Sequence, residues 1–297
     1  MRVLVTGGCG FQGSHLVEAL VGNGHDVTTL NTWSDTADEN SRAGARPIWG
    51  SVSDPEIVEK SMRGQDVVIH LAARINVDES ISGPREFTRV NLMGTQNILE
   101  AARNGGQRVI YGSTCEVYGG AGGSLSESSP FYPHSPYAAS KAAADRLCHA
   151  YRTTYGMQIS IVRPFNAFGP RQKEGRGGAL IPMMTKKAMD GLKLTLFGSG
   201  RQGRDFVHVS DVVAGYLIVL GNPEITEINL GTGISTPVRS IVEHIAKRFG
   251  SPLEETPGRP GEVAGFVANC EYARSFGWAP KIDIWGGLDA YMTWRAT

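Results

Sequence analysis

The sequence predicts an α/β fold: a doubly wound parallel sheet with a smaller, interleaved C-terminal α/β lobe. Three observations lead there. Short apolar runs rich in Val and Ile recur between stretches whose apolar residues lie three and four apart. Glycine follows most of those helical stretches, where a left-handed cap ends a helix. After residue 163 the alternation weakens, and glycine and proline become frequent.

The first strand is RVLVT (2–6), followed by the helical SHLVEALVGNG. DVTTL (26–30) and DPEIVEKSMRG form the next pair, then DVVIHLA (66–72) and NLMGTQNILEAARNGG, then RVIYGST (108–114) and YAASKAAADRLCHAYRTTYG, and finally ISIVRP (159–164). Strands that are apolar almost throughout, alternating with helices, indicate a parallel sheet covered on both faces. The later elements LTLFGSG, RDFVHV and INLGTG are shorter, while DVVAGYLIVLGN followed by EINLG reads as a helix and strand returning to the first sheet. The expected division is 1–163 together with 209–231 for the sheet domain, and 164–208 with 232–297 for the second lobe.

A chain of 297 residues, 41% of them hydrophobic, can bury one large core or two smaller ones. Lys+Arg and Asp+Glu number 29 each, so no field gathers nucleic acid or an anionic membrane surface, and an anionic ligand must be held by local groups. Cys9, Cys115, Cys148 and Cys270 form no CxxC pair, which speaks against a structural zinc site or a disulfide framework. No metal site is expected. Met1 leads directly into a strand with no secretory pattern, and no run reaches transmembrane length, so the expected compartment is a reducing cytoplasm.

TGGCGFQG (6–13) lies between the first strand and the first helix. Gly7, Gly10 and Gly13 allow a tight turn, close approach of backbone to a pyrophosphate, and packing of helix on strand, while the helix N-terminus offers N–H donors to the anion. The second strand would be expected to end in an acid for the adenosine ribose, and Asn31 stands there instead. Asn can still hydrogen-bond a ribose, Asp35 lies close behind, and no Arg follows immediately for a 2′-phosphate, so NAD is favoured over NADP.

In SPYAASK (135–141) Tyr137 and Lys141 are one helical turn apart and project from one face. A phenol of pKa about 10 is a poor base at neutral pH, but an adjacent ammonium favours the phenolate. Such a pair can take a proton from a hydroxyl while hydride leaves carbon.

TGGCGFQG, HLAA (70–73), STCEVYG, YAASK, RPFNAFGPRQ and GSGRQGRDFVHVSDV together resemble, in order and over nearly the whole chain, the extended short-chain dehydrogenase/reductase family of nucleotide-sugar epimerases and dehydratases. The resemblance implies a Rossmann-type domain holding NAD and a C-terminal lobe for a nucleotide diphosphate sugar. It makes Thr114 the hydroxyl that orients the sugar 4-OH, Tyr137 the base, and Lys141 the cation that tunes it and holds the nicotinamide ribose. Gly7, Gly10, Phe11, Gln12 and Gly13 fall on its pyrophosphate loop, and Leu71, Ala72 and Ala73 on its cofactor-lining strand end. GSVSD places Ser51 and Val52 where the family often has an Asp for adenine. Asn166 matches its phosphate-contacting Asn, and Arg204 and Arg259 its arginines for the diphosphate and ribose, chemistry for which a guanidinium fork is suited. Helices holding NLMGTQNILEAA and YAASKAAADRL resemble those of the family's dimer interface, which implies a homodimer.

Thr114, Cys115 and Glu116 separate the possible reactions. A 4-epimerase needs only a base for O4 and room to turn the ketone, whereas a dehydratase must also remove the C5 proton and let the C6 hydroxyl leave. Glu116 matches the base of family dehydratases, which read Thr-Asp-Glu or Thr-Ser-Glu. Cys115 is either a weak proton donor, since an unperturbed thiol of pKa about 8.5 is protonated at neutral pH, or a spacer. Hydride returning to C6 makes a 4-keto-6-deoxy sugar, and hydride returning to C4 a 5,6-unsaturated one. The expected function is therefore an NAD-dependent nucleotide-sugar dehydratase, with a 4-epimerase as the alternative. A decarboxylase and a catalytically silent NAD-binding protein stand further off.

Overall fold

The computed structural model describes residues 1–33, 44–174, 178–257 and 265–297; Asp35 and Arg259 lie outside them. In chain order the strands are β1 (Arg2–Thr6), β2 (Asp26–Asn31), β3 (Arg46–Trp49), β4 (Val67–His70), β5 (Arg108–Gly112), β6 (Gly123–Leu125), β7 (Ile159–Pro164), β8 (Asn166–Phe168), β9 (Leu194–Phe197), β10 (Gly203–Arg204), β11 (Phe206–His208), β12 (Glu227–Leu230), β13 (Thr236–Pro237), β14 (Leu253–Thr256) and β15 (Phe266–Ala268). Among the described residues seven of them form one parallel sheet in the order β12-β7-β5-β4-β1-β2-β3. This is the Rossmann-type order, and the chain returns to the sheet with β12 beside β7 after its excursion into the smaller lobe.

The apolar runs are explained by burial on both faces. In β1, Val3 and Val5 share a core with Leu16, Val17 and Leu20 of the helix Phe11–Gly22 and with Val212 and Val219 of the helix Val209–Gly221. Leu4 points the other way, into a second core with Val58 and Met62 of the helix Pro55–Met62, Ile98 and Leu99 of Gly94–Gly105, and Ala144 and Cys148 of Pro136–Tyr155. A third core belongs to the C-terminal lobe, where Leu194, Leu196 and Phe206 pack with Ile241, Ile245 and Met292.

Two local readings change. Strand β3, RPIW, escaped the sequence because Arg46 and Pro47 are exposed and proline is tolerated at a sheet edge, where its missing N–H breaks no ladder. NLMGTQNILEAARNGG is not one regular helix: residues Thr88–Met93 form a π-helical turn before the α-helix Gly94–Gly105. That wider turn carries the buried Asn91.

Strand order reverses between β1, which leads out to β2, and β4 on its other side. A crevice opens at the carboxyl ends of strands at such a point, which is where ligands of open α/β sheets bind.

Candidate active site

The crevice is a cleft of about 1750 Å³. Every site residue predicted from sequence that lies among the described residues lines it: Gly7, Gly10, Phe11, Gln12, Gly13, Asn31, Ser51, Val52, Leu71, Ala72, Ala73, Thr114, Cys115, Glu116, Tyr137, Lys141, Asn166 and Arg204. Arg259 falls outside the described residues.

The glycine loop has little room to spare. Gly7 has φ of 71°, and its N–H donates to Leu30 O at 2.8 Å. A Cβ on Gly13 would stand 2.1 Å from Gly7 O, and one on Gly7 2.8 Å from Ala72 N. On Gly10 a Cβ would meet only Gly7 O, at 3.1 Å, so the helix start faces open space. No side chain caps that helix and no acid sits in its first turn. Its first N–H groups lack intrahelical partners and its dipole is unopposed, so the loop fits the diphosphate of a dinucleotide. Gly13→Ala is expected to weaken NAD binding about tenfold or more, because the added methyl forces loop and helix apart. Calorimetric titration with NAD measures it, and an unchanged Kd would refute the close-packing argument.

Asn31 is more committed than its position in the sequence suggested. Its Oδ1 accepts Cys9 N–H at 2.8 Å and its Nδ2 donates to Thr29 Oγ1 at 2.9 Å, so it braces the glycine loop and has one N–H left for the cleft. Ser51 Oγ likewise accepts Ser53 N–H at 3.1 Å.

The strand ends carry the reactive groups. Thr114 is extended and its Oγ1 accepts Glu116 N–H at 3.3 Å, starting a short 3₁₀ turn, Cys115–Val117, that turns Glu116 to the cleft. Cys115 is 3% exposed and packs in the first core with Val117 and Tyr118; burial pushes its thiol well up, and the neighbouring Glu116 and Asp205 charges add to this. Burial also raises Glu116, opposed by Arg204 and His134.

The helix Pro136–Tyr155 starts at Ser135, whose Oγ accepts Ala138 N–H at 3.0 Å, and Pro136 occupies its first turn. Tyr137 and Lys141 lie on its buried face. Lys141 Nζ donates to Gly112 O at 2.6 Å and sits 4.3 Å from the Tyr111 ring centroid; burial lowers it to about 8, with Cys148 and Asp145 opposing. Burial pushes the Tyr137 phenol well up, a hydrogen bond with Thr114 opposes this, and Glu116 and Cys115 add to it. Lys141 thus shares the buried face of the helix with Tyr137, its ammonium bonded to Gly112 O and resting on the Tyr111 ring.

Sequence reading passed over the buried groups that support this site. Thr95 gives its hydroxyl hydrogen to Asn91 O (2.6 Å), so it accepts from His70 Nε2 (3.1 Å); His70 Nδ1 then accepts from the Thr6 hydroxyl (2.6 Å), which itself accepts Ala72 N–H (3.2 Å). Burial holds His70 neutral, down to about 3. Asn91 continues the chain to Arg74 and to Ser140 Oγ (2.9 Å), which donates to Tyr137 O. On the other side Ser113 Oγ donates to Asp145 (2.7 Å), and the fully buried Arg163 grips Asp145 through two bonds of 2.9 Å. Thr6 and His70 stand inside the TGGCGFQG and HLAA stretches, but their pairing, like that of Asp145 with Arg163, is not legible because the partners are distant in sequence.

Comparison with known proteins agrees with this geometry. The model of the NAD dependent epimerase/dehydratase family matches residues 3–231. A dTDP-glucose 4,6-dehydratase of Streptomyces niveus is 34% identical over 99% of this chain and 92% of its own length. Among solved structures, a dTDP-glucose 4,6-dehydratase of Streptomyces venezuelae with NAD bound is 33% identical with a TM-score of 0.91, covering 100% of this chain and 97% of that one. A UDP-glucose 4-epimerase of Thermotoga maritima, solved with UDP-glucose, is 29% identical with a TM-score of 0.93, covering 100% and 99%.

Proposed function

The chain belongs to the NAD-dependent epimerase/dehydratase family, and from that premise we propose that it dehydrates a nucleoside diphosphate sugar. The observation that carries the choice of reaction is Glu116, a carboxyl turned into the cleft two residues after Thr114 and close enough to act on Tyr137. A 4-epimerase has no step for it.

The residues at the glycine loop fit NAD. Bound there, it would supply a reversible acceptor for the hydrogen on C4, whose loss as hydride leaves a ketone and an acidic C5 proton, and a cationic ring that favours a phenolate in the cleft. Thr114 orients the sugar 4-hydroxyl and Tyr137 takes its proton, while Lys141 keeps positive charge behind the strand end. Glu116 then takes the C5 proton; the C5–H pair becomes the C5–C6 double bond as the C6–O bond breaks. The departing hydroxide needs a proton to leave as water. Cys115 is poorly suited, since its thiolate would be buried beside Glu116 and Asp205. Glu116, carrying the C5 proton and raised above the ordinary carboxyl, gives it up; the hydride taken from C4 then returns to the sugar, either to C6 with a proton from solvent at C5 or to C4 with the proton of Tyr137 at O4, so that the net loss is one water. Asn166, Arg204 and Arg259 are the side chains for the diphosphate and ribose. Residues 1–163 and 209–231 form the cofactor domain and the remainder the sugar-nucleotide lobe. The active species is a homodimer paired through the helices Gly94–Gly105 and Pro136–Tyr155, and the enzyme is cytoplasmic; among the described residues no helix is long and apolar enough to cross a membrane.

The decisive experiment incubates protein and NAD with UDP-, dTDP-, GDP- and CDP-hexoses in heavy water and follows product mass and deuterium. A product lighter by one water supports dehydration. An isomer of unchanged mass without deuterium would establish 4-epimerisation and leave Glu116 a bystander.

The pH dependence follows from the two shifted groups. Catalysis needs Glu116 ionised and Lys141 charged, so kcat/KM rises through a pKa above the ordinary 4.5 of a carboxyl and falls through about 8. A profile flat through about pH 9 would remove the Lys141 charge from the requirement.

A further inference from the structure

Asp205 is wholly buried and follows Arg204 directly. Its carboxylate accepts four hydrogen bonds: Oδ1 from Thr232 N–H (2.7 Å) and the Thr232 hydroxyl (2.6 Å), and Oδ2 from Gly233 N–H (2.9 Å) and Ala268 N–H (3.0 Å). Each oxygen accepts two hydrogen bonds, so the buried carboxyl is fully partnered away from water. A Cβ on Gly231 would stand 2.7 Å from Oδ2, so the turn is fitted to this carboxyl. These donors come from two separate segments: Thr232 and Gly233 follow β12, the edge strand of the large sheet, and Ala268 ends β15, which pairs with β6 and packs in the first core. The backbone of Asp205 adds a third attachment, its carbonyl accepting Asn166 N–H at 2.9 Å and Asn166 Nδ2 at 3.2 Å.

Asp205 thus ties the turn after β12 and the end of β15 to the β8–β11 pair: its side chain bonds Thr232, Gly233 and Ala268, its carbonyl bonds Asn166, and Arg204 precedes it in the chain. We propose that Asp205 is a positioning residue for nucleoside diphosphate recognition: by tying the turn 231–233 and β15 to the β8–β11 pair, it fixes the two side chains that face the diphosphate. This rests on the nucleotide-sugar reading above. The carboxyl does not line the cleft; its oxygens are taken up by three backbone N–H groups and the Thr232 hydroxyl.

The test is Asp205→Asn, which keeps the shape but sets an amide against N–H donors, read by calorimetric titration of UDP, dTDP and, separately, NAD into the full chain. The expected result is a loss of about tenfold or more in affinity for the nucleoside diphosphate that the wild type binds, with NAD affinity within about threefold. Equal loss for both ligands, or a lowered Tm with both affinities kept, overturns the proposal in favour of a merely structural role. If the wild type binds neither UDP nor dTDP while binding NAD, the nucleotide-sugar reading fails and this proposal with it. Thr232→Val, which removes one of the four donors, guards against misfolding of the first variant: a smaller, selective loss of diphosphate affinity that Thr232→Ser restores supports the proposal, and unchanged affinity in Thr232→Val overturns it.

Discussion

Glu116→Gln is expected to lower the rate of water loss by about 10² to 10⁴-fold, the range that a positioned acid or base contributes. Glutamine keeps the size and the hydrogen-bonding of the side chain but cannot take a proton, so nucleotide-sugar binding is expected to survive. Exchange of the C5 proton with heavy water should stop along with dehydration, since both need the same carboxylate. Cys115→Ser is the paired experiment. The thiol packs in the core, 3% exposed, and burial holds its proton, so replacing it should change kcat by no more than about threefold, under 1 kcal/mol in the barrier. A Cys115→Ser enzyme as impaired as Glu116→Gln would return the thiol to the role of acid.

The second large effect is on stability. Arg163 has no exposed surface; besides its two bonds to Asp145 it donates to Glu227 at 2.6 Å, Tyr118 Oη at 3.1 Å and Glu127 O at 3.2 Å. Arg163→Met leaves Asp145 charged and buried with one partner fewer, which costs about 3–5 kcal/mol. For a chain of this size that is a fall of roughly 6–20 °C in Tm, measurable by calorimetry. Arg163→Lys should fall between, since an ammonium cannot form the fork. The acid limb should move as well. In the wild type, burial pushes Glu227 up but Arg163 and Arg146 outweigh it and hold the carboxyl at about 2. A depressed folded pKa contributes stability above the unfolded value that is lost as pH falls through the folded one. Without Arg163 the folded pKa rises and acid unfolding begins at higher pH. Equal acid midpoints in the two proteins would contradict the pairing.

Much of the site is legible before folding because its chemistry is local. Gly7, Gly10 and Gly13 sit at a spacing that only a tight strand-to-helix turn explains, and Tyr137 and Lys141 are one helical turn apart, so each group announces itself within eight residues of sequence. Asn31 shows where that legibility stops. The sequence places it at the ribose end of β2, but its amide mostly serves the glycine loop, because Cys9 N–H has come within 2.8 Å of it. The Lys141 ammonium likewise meets Gly112 and the Tyr111 ring, which lie some thirty residues earlier in the chain.

The sequence by itself determined the alternation of strands and helices, the parallel sheet, the glycine loop and the one-turn spacing of Tyr137 and Lys141, because period and spacing are properties of neighbouring residues, while the roles expected of Thr114 and Glu116 came from the family resemblance. Only the tertiary structure decided how buried charges and amides are satisfied: Asp145 with Arg163 across 18 residues, Arg163 with Glu227 across 64, Asp205 with Ala268 across 63. A buried carboxylate reads like a surface one until the fold brings its donors to it, since its ionisation depends on the partners that replace water, and those are chosen by topology.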